Sequence, residues 1–149
     1  MYAIRRDEEG VPRRFPALTF VSVFDGWLGP GDVHQLDEVE PDEWRKFWAL
    51  NEMLLAGFDL FRVEGGSGAC HPVRSAREVR GSWHADGGTD GPLVLFVPAL
   101  ECVYEEHHDY TNLLWHRAGA APRPFLDLAE RVGLHHFDRE GGWAVKPGQ

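Results

Sequence analysis

The stretch LDEVEPDEWRKFWALNEMLLAGF, residues 36–58, restricts the possible folds more than any other. At 100° per residue, Trp44, Phe47, Trp48, Leu50, Leu54 and Leu55 fall on one broad stripe. A helix with a stripe that wide must lie against another layer of structure. Pro41 suits a first helical position, the acids around it complement the positive helix end, and Gly57 suits the residue just past the last turn. The pattern predicts a helix over about 41–56. Asn51 falls inside the stripe, where an unpaired amide costs about 1–3 kcal/mol. It is expected to tie the helix to a neighbouring backbone.

The rest of the chain supplies the second layer. ALTFVSVF (17–24), FDLFRV (58–63) and LVLFV (93–97) read as strands. The last is apolar throughout, as a strand covered on both faces is, and Pro98 should end its pairing. EGGSGACHPV (64–73) reads as a loop. Ser75 and Glu78 have capping-box spacing, which predicts one helical turn ending at Gly81, and GSWHADGGTDGP (81–92) is turn chemistry. Residues 100–117 supply two more strands. PRPFLDLAERVGL ends the series as a helix at about 124–132, with Phe125, Leu128, Ala129 and Val132 on one side and Gly133 as terminator. The order β-α-β…β-β-β-α predicts an α+β fold, a mainly antiparallel sheet with two amphipathic helices packed on one face. With 149 residues and no repeat or linker, residues 1–149 are expected to form one domain.

Composition removes several classes of function. A net charge of −9 and a pI near 5.3 argue against nucleic-acid binding, which needs clustered Lys and Arg, and favour a basic partner. Two cysteines, Cys70 and Cys102, do not make a disulfide scaffold, so a reducing cytoplasm is the simpler expectation. The apolar runs are too short to span a bilayer, so no membrane role is expected.

The segment ECVYEEHHDYTNLLWHR (101–117) concentrates carboxylates and imidazoles. A two-residue turn at His108-Asp109 would place Glu105 opposite Asn112, Val103 opposite Leu114, Cys102 opposite Trp115 and Glu101 opposite His116. One face would then carry Leu100, Cys102, Tyr104, Leu113 and Trp115. The other would carry Glu101, Val103, Glu105, His107, Asn112, Leu114 and His116. This register separates apolar from polar best. Trp115 is therefore expected inside and Glu101 outside. Residues four apart on a strand are about 13 Å apart, so His116 cannot join Glu105 and His107 on one ion. No C-x-x-C or H-E-x-x-H occurs, and no metal site is expected.

No cofactor motif is complete either. Gly65-x-Ser67 lacks the second glycine of a nucleophile elbow, Ala69 standing there, and the loop lacks the Gly-Lys of a phosphate loop. No catalytic residue and no cofactor is assigned.

Two acidic groups remain as candidate partner contacts. Asp37, Glu38, Glu40, Asp42 and Glu43 precede the first helix, and Glu101, Glu105, His107, Asn112 and His116 lie on the polar face of the hairpin. With the aromatic supply of six Trp, they suggest a small acidic binding protein, most concretely an immunity-type inhibitor that covers the cationic cleft of a toxin or enzyme. The alternative is an enzyme or small-ligand domain with Glu101, Glu105 and His116 as its polar groups and Cys70 as nucleophile.

Overall fold

The fold comes from a computed structural model that describes residues 2–26, 30–40, 42–80, 92–107 and 110–138. The first helix, α1, spans Arg45–Gly57. It starts later than the sequence pattern predicts because the three residues before it are wound tighter. Arg45, Lys46 and Phe47 donate to the carbonyls of Asp42, Glu43 and Trp44, three residues back rather than four. Pro41 lies outside the described residues. Phe47, Leu50, Asn51 and Leu54 are buried, as the stripe requires. Asn51 Nδ2 donates to the Val79 carbonyl at 2.8 Å, so the amide ties the helix to a neighbouring backbone.

α1 and a second helix, α2 (Arg123–Arg131), lie on one face of an antiparallel sheet that has seven strands among the described residues. The strands are β1 (Ala17–Ser22), β2 (Phe61–Val63), β3 (Cys70–Pro72), β4 (Val94–Val97), β5 (Cys102–Glu105), β6 (Thr111–His116) and β7 (His135–Asp138), in the spatial order β3-β2-β4-β5-β6-β1-β7. The fold is the α+β arrangement that the sequence predicts, with two more strands. α2 stops where Gly133, at φ 91°, donates back to the Glu130 carbonyl. Apolar β4 lies between β2 and β5, and beyond it Pro98 turns the chain into a short helical turn. The turn at Ala76–Val79 carries the expected capping box between Ser75 and Glu78. Gly81 and the turn-like residues 82–91 lie outside the described residues.

The hairpin register differs from the expected one by one residue. Cys102 faces His116, Val103 faces Trp115, Tyr104 faces Leu114 and Glu105 faces Leu113. The expected turn residues His108 and Asp109 lie outside the described residues, and Tyr110, which follows them, has φ 58°. Trp115 is buried and Glu101 exposed, but the two faces are composed differently. Cys102, Tyr104, Asn112, Leu114 and His116 point toward the helices, whereas Val103, Glu105, Leu113 and Trp115 share the opposite face.

That opposite face is the reason. A polar–apolar split sets the register only where one face is wet, and here residues 2–15 cover much of the second one. Ile4, Phe15, Cys70, Phe96, Val103 and Trp115 form a second apolar cluster there. The covering segment is anchored beside β3, where Ile4 N–H donates to Gly68 O at 2.8 Å and Cys70 N–H donates to Tyr2 O at 3.1 Å. Residues 70–72, expected as loop, are a strand because they pair with β2 along their length, and Cys70 at its start is also held by Tyr2 on the other side.

Candidate functional site

The sheet takes two of the five hairpin candidates, Asn112 and His116, into the interior, leaves Glu105 half-buried, and leaves Glu101 and His107 exposed. Asn112 is fully buried, donating to Tyr104 Oη at 2.9 Å and accepting the His107 N–H at 3.0 Å. His116, 4% exposed, is held between Thr19 Oγ1 at 2.9 Å and the Arg117 carbonyl at 2.8 Å. Glu101 is exposed at the corner after the Pro98 turn, has φ 50°, and pairs with Arg117. A hollow of about 270 Å³ does bring Glu101 and His116 together, but Glu105 is on the far side of the sheet. The three polar groups expected of an enzyme site therefore do not converge. Glu106, another acid of that hairpin, is 4% exposed and accepts the Leu93 N–H at 2.8 Å.

Neither thiol suits nucleophilic catalysis. Burial raises the Cys70 pKa, and it pushes the Cys102 thiol up to about 12. A reactive cysteine needs the reverse, a thiolate favoured by nearby positive charge. His71 faces away from Cys70 and binds Glu64 instead, with Nε2 2.9 Å from the carboxylate. Among the described residues no group of three or more His, Cys, Asp or Glu is placed to hold a metal ion.

The acidic stretch before α1 remains at the surface. Asp37, Glu38, Glu40 and Asp42 are exposed, and Glu43 is half-buried. Glu43 pairs with Lys46 at 2.5 Å and Asp42 with Arg45 at 3.4 Å. Asp37, Glu38 and Glu40 have no ion pair among the described residues. Immediately beyond them, half-buried Trp44 and Trp48 meet edge to face with ring centroids 4.3 Å apart. Arg45 lies over the first ring and Arg80 over the second. Sequence periodicity put both tryptophans in the helix stripe, and in the fold they form its outer edge.

A larger cavity opens on the second face of the sheet, with a volume of about 1270 Å³. Its walls bring together segments distant in sequence. The N-terminal residues RRDEEGVPRR double back, with Arg13 N–H donating to Arg5 O at 2.9 Å and Asp7 N–H to Val11 O at 2.9 Å. Gly10, at φ 84°, makes that reversal, and Asp7 Oδ1 accepts the Glu9 and Val11 N–H groups inside it. Arg5, Arg6 and Arg13 thereby line one wall, and Arg62 and the Gly65–Gly68 turn line another. Trp115, Leu113 and Val94 contribute the apolar part.

Most carboxylates of this cleft are engaged. Glu105, 19% exposed, accepts from Arg6 Nη1 at 3.1 Å and from Trp115 Nε1 at 2.9 Å. The hydrogen bond to His71 holds Glu64 below the usual carboxylate range. Glu78 accepts the Arg74 and Ser75 N–H groups at 2.7 and 2.8 Å, which lowers its pKa in the same way. Sequence reasoning missed the cleft because no single stretch contains it. A scan against protein-family profiles, a search of curated proteins and a search of solved structures each find no match to the chain.

Proposed function

We propose that this is a protein-binding domain whose docking surface is the acidic stretch before α1 together with the Trp44–Trp48 edge. The observation that carries the reading is the placement of three exposed carboxylates, Asp37, Glu38 and Glu40, with no ion pair among the described residues, next to that tryptophan pair. Exposed like charges give the fold little, but they draw a basic partner in by long-range attraction. Tryptophan supplies the large contact area that anchors a complex once formed. The concrete form of the reading is a cytoplasmic inhibitor of immunity type, which covers the cationic cleft of a toxic enzyme. No helix among the described residues is long and apolar enough to cross a membrane, which agrees with such a role.

The test replaces Asp37, Glu38 and Glu40 by their amides. A basic protein captured from the native host by the wild-type chain should associate more slowly with the variant. Added salt should reduce the difference, and the melting temperature should not move. Capture that is indifferent to both salt and the triple substitution would refute the reading.

The large cleft favours a second reading, a small-ligand binding domain. Concave sites that mix apolar walls with a few polar groups are where ligands bind, and this one exceeds the usual range of roughly 300–1,000 Å³. Its polar groups are not the hairpin set that the sequence suggests, since only Glu105 belongs to it.

A further inference from the structure

We propose that the cleft on the second face binds a small organic polyanion, a molecule with two or more carboxylate or phosphate groups, through Arg5, Arg13 and Arg62. This inference rests on the ligand-binding reading and adds the chemistry of the ligand. Among the described residues the cleft has four guanidinium groups and four carboxylates, but the two sets are used unequally. Glu105, Glu64 and Glu78 are committed to partners of their own. Glu9 alone among the four lies exposed without an ion pair among the described residues. Of the arginines, only Arg6 makes an ion pair, with Glu105, and it also donates to the Gly10 carbonyl at 2.8 Å, while Arg62 feels the more distant attraction of Glu78. Arg5, Arg13 and Arg62 have no hydrogen-bond acceptor or ion pair among the described residues.

The backbone brings these cations to the walls of one cavity. The bond from Arg13 N–H to Arg5 O places those two residues side by side, and Arg62 is fixed in β2 opposite Leu95 and His71. Arginines gathered on one cavity repel one another, and a chain of net charge −9 has acids enough to separate or neutralise them. An anionic ligand removes that repulsion. The guanidinium fork matches a carboxylate or phosphate with two parallel hydrogen bonds, which a simple ammonium cannot do. The Gly65–Gly68 turn adds a wall with little side-chain bulk, and Leu113, Val94 and Trp115 accept the apolar part of the molecule.

The experiment is calorimetric titration of the full chain with inorganic pyrophosphate and with citrate, at constant ionic strength. One or both should bind at a single site. Pyrophosphate alone would identify a phosphate ester as the natural class, and citrate alone a polycarboxylate. The double substitution Arg13→Gln, Arg62→Gln should weaken binding by about tenfold or more, as should Arg5→Gln with Arg13→Gln. Because these side chains carry no internal hydrogen bond, both variants should keep the wild-type melting temperature without ligand. Substituting Asp37 and Glu40 by amides should leave the titration unchanged, which separates this site from the protein-docking surface. Binding that survives both double substitutions would overturn the assignment. If neither anion binds while a neutral or cationic compound raises the melting temperature, the anion chemistry fails and the ligand-binding reading stands. If no compound of any charge does so, both fail.

Discussion

Position 68 accepts no side chain. Gly68 has φ 75°, and a Cβ added there would overlap the Ile4 carbonyl, the point where the covering segment is pinned to the turn before β3. A non-glycine residue in this backbone region costs about 1–3 kcal/mol before any contact is counted. Gly68→Ala should therefore loosen residues 2–6 as well as lower the melting temperature, and trypsin should cut faster after Arg5 and Arg6 than in the wild type. Equal cleavage rates would show that the pin is unimportant. At Cys102 the expected effect is one of pH. Burial raises the thiol to about 12 in the fold, against 9.0 for an ordinary cysteine. Between those values the unfolded chain releases a proton that the folded chain keeps, so stability is complete below pH 9.0 and falls as pH rises toward 12. Cys102→Ala should flatten the alkaline fall in stability, measured by urea unfolding across that range. A slope identical to wild type would assign the fall to other groups, such as buried Tyr104, whose pKa burial also raises.

The elements legible in the sequence are those whose pattern depends only on their own residues. α1, α2 and β4 announce themselves through a helical stripe, a terminating glycine and an unbroken apolar run. The elements missed depend on a distant partner. His135–Asp138 has no alternation of its own and becomes β7 by pairing with β1, and Cys70–Pro72 becomes β3 between β2 and the N-terminal residues. The hairpin register departs from its polar–apolar pattern for a related reason. Sorting polar from apolar sets the register only when one face is wet, and here buried polar groups are satisfied by one another. Tyr104 and Asn112 make the clearest case, since they are hydrogen-bonded on the helix side of the sheet. In the register first expected they would lie on opposite faces. Tyr104→Phe should remove the acceptor of a buried amide and cost about 1–3 kcal/mol. Chemical denaturation measures that cost, and a loss near zero would favour the other register.

At the scale of the whole molecule, the sheet is covered on both faces, by helices on one and by residues 2–15 on much of the other. The acidic stretch at residues 37–43 was legible as surface because charged residues ahead of a helix have little else to do. The cleft was not legible, because its walls come from residues 4–13, 62–71, 78, 92–94, 105 and 113–115, and only the fold brings them together. Three of its arginines, Arg5, Arg6 and Arg13, belong to the covering segment, so docking that segment on the second core also brings them to Arg62 in β2. Phe15 is 1% exposed and Ile4 6%, and each buried side chain of this size contributes about 1.5–3 kcal/mol. Together that is a large share of a typical stability of about 5–15 kcal/mol. Deleting residues 1–15 should therefore uncover Phe96, Val103 and Trp115, bind a hydrophobic dye and lower the soluble yield. Phe15→Ala, at an expected cost of about 3–5 kcal/mol, should do the same in milder form. In Phe15→Ala the segment and all of its arginines remain in the chain, so any loss of anion binding there would come from undocking alone. A truncated chain that melts as the wild type does and binds no dye would show that the segment is a detachable strap, with the second face stable in its absence.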